Sequence, residues 1–186
     1  MSGIIRSYKR DDDGVLLFRE AWFDEDFGQF VINHGTVGHQ SSTDATDVDD
    51  EEAAEGLLAA FAAQCEDDGY AELPESEQFW LVAQFALKSK DGTERDRYLE
   101  RKASGALRSA LAWRGLGTVE RSEIGNSRLN IFCLCPDVNK AVNAIKVCIR
   151  GEDLDFTKLS IAAAPHGEPE AFKLKHSPKN VTGFTL

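Results

Sequence analysis

Apolar residues at the start of the chain fall in short segments bounded by turn formers. Segments "GIIRSYK" (3–9) and "GVLLFREAWF" (14–23) read as a strand and its return strand, and Asp13-Gly14 between them suits the positive φ of a tight turn. Together they predict a hairpin. A second turn at "DEDFG" leads into "QFVIN" (29–33), and after Gly35 the piece "TVGHQ" (36–40) predicts one more short strand, completing a small antiparallel meander. The period then changes. Ala54, Leu57, Leu58, Phe61 and Cys65 recur at helical spacing, which predicts a helix with one apolar stripe. Asp49 or a neighbour is expected to cap its start and Gly69 its end.

After Pro74 a new pattern begins. "QFWLVAQFALK" (78–88) is a long apolar run with aromatics and Val, and it reads as a central strand. Leu99, Ala103, Leu107, Ala110 and Leu111 fall on one side of a helix closed by Gly115 or Gly117. "TVERSEI" and "SRLNIFCLC" flank the turn "GNS" as a second hairpin, and Pro136 stops the last strand. "DVNKAVNAIKVCIRG" predicts a helix from Asp137, "KLSIAAA" a strand, and the irregular C-terminal tail one short strand at "FKLK". The order is βαββαβ, which predicts a ferredoxin-like plait. The fold class expected is therefore α+β, with domains at 1–75 and 76–186.

Charge supports that division. Residues 1–75 hold 4 basic and 19 acidic residues, a balance of −15, whereas the remainder is +4 within the net −11 of the whole chain. Such acidity argues against a protein that coats nucleic acid, because those proteins gain affinity by neutralising phosphates. No apolar run reaches the roughly 20 residues that span a bilayer, and the N-terminus lacks the order of a signal peptide, so a cytoplasmic protein without a membrane partner is expected. In that reducing compartment Cys65, Cys133, Cys135 and Cys148 are expected to be thiols rather than disulfides.

Phe30, Val31, Gly35, Val37 and Gly38 in "FVINHGTVG", with Ala54 and Phe61 on the helix and Gly69-Tyr70 at its end, give the first half a recognisable outline. It resembles the WGR domain, a small sheet-plus-helix module found in poly(ADP-ribose) polymerases and in bacterial proteins. The likeness covers roughly residues 1–75. Where the family has Trp-Gly-Arg this chain has His34, Gly35 and Thr36, so the aromatic and the cation that the resemblance would assign to DNA contact are both missing. The resemblance implies the fold and not that activity.

Candidate chemistry is sparse. His34 and His39 share the stretch "INHGTVGHQSS" with Ser41 and Ser42, but residues five apart on a strand face opposite sides, and no further ligand completes a zinc site. The loop also lacks the lysine and order of a phosphate-binding loop. In "TDATDVDDEE" the carboxylates do not follow the EF-hand spacing, so a solvated loop and a helix start are expected. Cys133 and Cys135 point to one strand face without a second pair to hold metal. No catalytic residue, metal ligand or cofactor is assigned.

Surfaces are more informative. Both parities of the central strands are apolar: Phe79, Leu81, Ala83, Phe85 and Leu87 alternate with Trp80, Val82, Gln84 and Ala86, and Ile131 and the cysteines with Phe132 and Leu134. A second face carrying Trp80, Val82, Gln84, Phe132 and Leu134 needs a cover, expected from the first unit, a protein partner or a homodimer mate. "SRLNIFCLC" lacks the glycines and second aromatic of an RNA-recognition signature. Arg97, Arg101 and Arg108 form a basic stripe on the intervening helix, which adds a candidate charge-pairing surface. These residues make up the candidate interface of a non-catalytic, two-domain protein-binding or regulatory protein. Two other readings stand beside it: an acidic neutraliser such as an immunity or antitoxin protein, and an enzyme or small-ligand sensor using His34, His39 or His166 in an interdomain cleft.

Overall fold

The computed structural model describes residues 4–179 and 181–186. It is an α+β protein with two antiparallel sheets, one of four strands and one of five. The chain divides into two compact units, Met1–Leu73 with Trp113–Gly115, and Pro74–Ala112 with Leu116–Leu186.

In the first unit, strands β1 (Ile5–Arg10), β2 (Leu16–Asp24), β3 (Gln29–Thr36) and β4 (Ser42–Asp47) lie in sequential order, each antiparallel to the next. The β1–β2 turn is held by Asp11, whose Oδ1 accepts from the Asp13 and Val15 amides, while Gly14 takes φ +79°. Helix α1 (Glu51–Asp67) starts at Asp50, whose side chain accepts from the Ala53 amide at 2.8 Å. It ends in a Schellman arrangement: the Tyr70 amide donates to Cys65 O and the Gly69 amide to Glu66 O, with Gly69 at φ +79°. The core joins Ala54, Leu58, Phe61 and Cys65 of α1 to Ala21 and Phe30 of the sheet, with Phe30 and Phe61 edge to face at 6.5 Å.

Three expectations change here. "TVGHQ" is not a strand; residues 37–39 turn, with Gly38 at φ +90°, and the fourth strand begins at Ser42. The first half of the acidic run, with Asp44 and Asp47, is therefore β4, whose six residues are all exposed and so leave no apolar period to read. Leu57 leaves the helix stripe and is 39% exposed, because the apolar face turns through Ala54, Leu58, Phe61 and Cys65.

A polar ladder runs across all four strands. Arg6, Glu20, Asn33 and Thr43 are successive cross-strand partners. Arg6 Nε donates to Glu20 Oε2 at 2.7 Å, Asn33 Nδ2 to Glu20 Oε1 at 2.8 Å, and Thr43 Oγ1 to Asn33 Oδ1 at 3.1 Å. Glu20 and Asn33 are 2% and 1% exposed, so the centre of the ladder is buried and its members satisfy one another, while Thr43 at its end is exposed.

The second unit follows the order β5 (Phe79–Ala86), α2 (Glu94–Ala112), β6 (Thr118–Gly125), β7 (Arg128–Cys135), α3 (Val138–Gly151), β8 (Leu159–Pro165) and β9 (Lys173–His176). Its antiparallel sheet has the order β6-β7-β5-β8-β9. The β6–β7 turn puts Asn126 and Ser127 at φ 52° and 60°, the positive pair that a two-residue hairpin turn requires. Asp137 caps α3 by accepting from the Lys140 amide at 2.9 Å.

Both helices lie on one sheet face. Glu100 of α2 accepts from Ser122 Oγ, which is paired with Ile131, and His176, paired with Ile161, faces Lys146 and Arg150 of α3. Leu81, Ala83, Phe85, Leu129, Ile131, Cys133 and Ile161 on that side are buried beneath Leu107, Leu111, Ile145 and Ile149.

Burial pushes the Cys135 thiol up to about 12, with Asp137 adding to the effect, and pushes Cys133 upward too, with Cys135 adding there. The unfolded thiol titrates near 9.0. Below that pH both states keep the proton; above it the unfolded chain releases a proton that the folded chain retains, so stability is lost as pH rises from 9 toward 12. Each thiol contributes a slope of about 1.4 kcal/mol per pH unit once the unfolded form is ionised. Between pH 9 and about 10.5, the unfolding free energy from urea titrations is expected to fall about 3 kcal/mol further in the native sequence than in a Cys133→Ala, Cys135→Ala variant. Equal pH slopes in the two proteins would contradict burial of these thiols.

Candidate functional site

The second sheet face of the later unit gathers the residues that the sequence marks. Trp80, Val82 and Gln84 of β5 stand beside Leu134, Phe132 and Asn130 of β7 and Ala164, Ala162 and Ser160 of β8. Val82, Gln84, Asn130 and Phe132 are buried within the single chain, while Trp80 and Leu134 are half-buried. The chain supplies much of its own cover. Arg121 lays its guanidinium 3.5 Å over the Phe132 ring, and His166 stacks on Trp80 at 5.7 Å and 15°. Residues 181–186 reach the same face at its other end, where Thr185 O accepts from Gln84 Nε2 at 3.0 Å and from Arg128 Nη1 at 2.6 Å.

Arg97, Arg101 and Arg108 are exposed on α2, as their helical spacing implies. Lys102 beside them donates to Glu152 O.

In the first unit, "INHGTVGHQSS" ends β3, turns and enters β4. Its backbone is pinned by Val37 N to Leu16 O at 2.9 Å, Gly38 N to Arg114 O at 2.8 Å and Ser41 N to Trp113 O at 3.1 Å. His34 Nε2 lies 3.4 Å from Asp44 Oδ2 on the paired strand, His39 is exposed, and His166 Nδ1 lies 3.7 Å from Glu75 Oε2. Among the described residues no group of three or more His, Cys, Asp or Glu could hold a metal ion. Near the helix end, Arg19 sits 4.3 Å over the Tyr70 ring and 2.5 Å from Asp68, and this hydrogen bond holds the Asp68 carboxyl below the usual carboxylate range. Lys9 donates to Asp68 O at 2.7 Å, so both cations of that cleft already have partners.

Sequence reading passed over the end of the first sheet. The Val48 amide donates to Gly28 O at 2.9 Å and Gln29 Nε2 to Asp47 Oδ1 at 2.9 Å, which brings the β2–β3 turn beside the β4–α1 connection. Asp24, Glu25 and Asp26 thereby share one end with Asp47, Asp49, Asp50, Glu51 and Glu52. Among the described residues none of these carboxylates forms an ion pair with a cation. Phe27, next to Asp26 in the same turn, is 76% exposed. The available signal was an aromatic residue preceded by three acids in "DEDFG".

Among the described residues no helix is long and apolar enough to cross a membrane. Comparison with protein-family models, curated proteins and solved structures finds no match.

Proposed function

We propose that the chain is a non-catalytic protein-binding or regulatory protein of the cytoplasm that receives a basic protein partner at the acidic end of its first unit. The observation that carries this reading is Phe27, a large aromatic side chain left in solvent beside carboxylates that form no ion pair with a cation among the described residues. Uncompensated carboxylates steer a basic surface into encounter, and a protruding aromatic ring supplies an anchor that charge alone lacks. A four-stranded sheet carrying one helix, with Ala54 and Phe61 in its core and Gly69-Tyr70 at the helix end, supports a WGR-like module. The order β6-β7-β5-β8 with both helices on one face supports a ferredoxin-like plait after it.

The same acidic end favours one second reading, an immunity or antitoxin protein whose carboxylates stand in for phosphates against a basic toxin. The two differ in what the partner does, not in where it docks.

Photo-crosslinking from position 27 in the native cell, followed by titration of the purified captured protein, tests the site. The expected partner is basic, its affinity falls at least about tenfold between 50 and 500 mM salt, and Phe27→Ser costs a further factor of about ten. Affinity indifferent to both salt and Phe27 would overturn the proposal. Loss of the partner's own activity on binding selects the neutraliser.

A further inference from the structure

The second face of the β5–β7–β8 sheet holds a piece of this same chain. Residues 181–186 form neither helix nor strand, and Val181, Thr185 and Leu186 are exposed, yet the segment is held at defined points. Arg128 Nη1 donates to Thr185 O at 2.6 Å, to Thr185 Oγ1 at 2.7 Å and to Leu186 O at 3.1 Å. Gln84 Nε2 divides its two hydrogens between Asn130 Oδ1 at 2.8 Å and Thr185 O at 3.0 Å. Phe184 meets Phe172 with ring centroids 5.7 Å apart.

Most of these bonds go to main-chain carbonyls, which any extended segment presents, and the one ring contact asks only for an aromatic residue just before them. Gln84 and Asn130 are buried, so removal of the segment deprives a buried amide N–H of its acceptor on a face that is otherwise largely apolar. The seat is built to be occupied. Its resident, by contrast, is fastened at one end of the sheet by side chains and makes no strand pairing with it.

We propose that Gln84, Arg128 and Phe172 form a peptide-binding seat for an extended segment with an aromatic residue followed by a backbone carbonyl, and that residues 181–186 are its exchangeable occupant in cis. This surface belongs to the second unit, whereas the acidic end with Phe27 belongs to the first. A tethered occupant competes at high effective concentration, so a peptide in trans meets an affinity reduced by the small fraction of open seats. Weakening the occupant raises that fraction.

The test is fluorescence anisotropy of a labelled Val-Thr-Gly-Phe-Thr-Leu peptide against the full chain. A Phe184→Ala chain is expected to bind at least about tenfold more tightly than the native chain, and adding Arg128→Ala removes the gain. A peptide with Phe replaced by Ala leaves the protein untouched and should lose at least about tenfold on the Phe184→Ala chain. Native and Phe184→Ala chains of equal affinity, or a scrambled peptide that binds as well, would overturn the proposal.

Discussion

Replacing Gly117 by alanine is expected to unfold the second unit, at a cost above roughly 4 kcal/mol. Gly117 stands between α2 and β6 with φ +101°, a conformation that side-chain-bearing residues rarely adopt. Space is the harder limit. A Cβ there would press into the carbonyl oxygen of Leu134 and lie 2.9 Å from its carbon and 3.1 Å from Cys135 Cα. All three are backbone atoms of β7, and the adjoining Thr118 is already registered against Leu134, so relief requires the β6–β7 pairing itself to move. Gly105 provides the contrast. It lies inside α2 with nothing within 4 Å of a built Cβ, so alanine there should raise stability by about 0.5–1 kcal/mol through helix propensity. Urea titrations followed by circular dichroism should therefore separate the two variants in opposite directions. A Gly117→Ala protein with the native midpoint would refute the packing described for this junction.

What the sequence made legible is what side-chain period reports. Ala103, Leu107 and Leu111 repeat on the helical period and are buried, and the two apolar parities of β5 and β7 are buried in the fold apart from Phe79, Trp80 and Leu134, which are half-buried, and Ala86, which is exposed. Strand β4 escaped because no residue in it is buried; it exists by pairing with β3, and pairing leaves no apolar trace in a chain of Ser, Thr, Asp and Ala. The segment over Gln84 escaped for a related reason. Its hold depends on carbonyl oxygens that every residue possesses, so nothing in "VTGFTL" distinguishes it from a free end. Phe27 was in view among its acids, but only the bonds from Val48 to Gly28 and from Gln29 to Asp47 bring the second acidic group beside it.

Glu20→Ala should destabilise the first unit by about 3–5 kcal/mol, more than truncation of any exposed acid on the same sheet. Glu20 is the centre of the ladder: one oxygen receives Arg6 and the other receives Asn33. Without the carboxylate, a guanidinium whose side chain is only 14% exposed keeps its charge and loses its counterion, and the Asn33 amide loses its acceptor in a buried position. Arg6 is spaced far from Glu20 in the chain, as are Asn33 and Thr43, and each alone reads as a solvent-facing polar residue between apolar ones. Only the register of four strands turns them into one network. The comparison that isolates this is Asp44→Ala, which removes an exposed carboxylate beside His34 and should change stability by no more than about 1 kcal/mol. An Arg6→Met, Glu20→Leu pair should recover part of the loss, because it removes the stranded charge even though Asn33 remains short of one partner. Unfolding free energies for the three proteins decide the matter: a Glu20→Ala cost no larger than that of Asp44→Ala would mean that the ladder is solvated, and its burial would have to be abandoned.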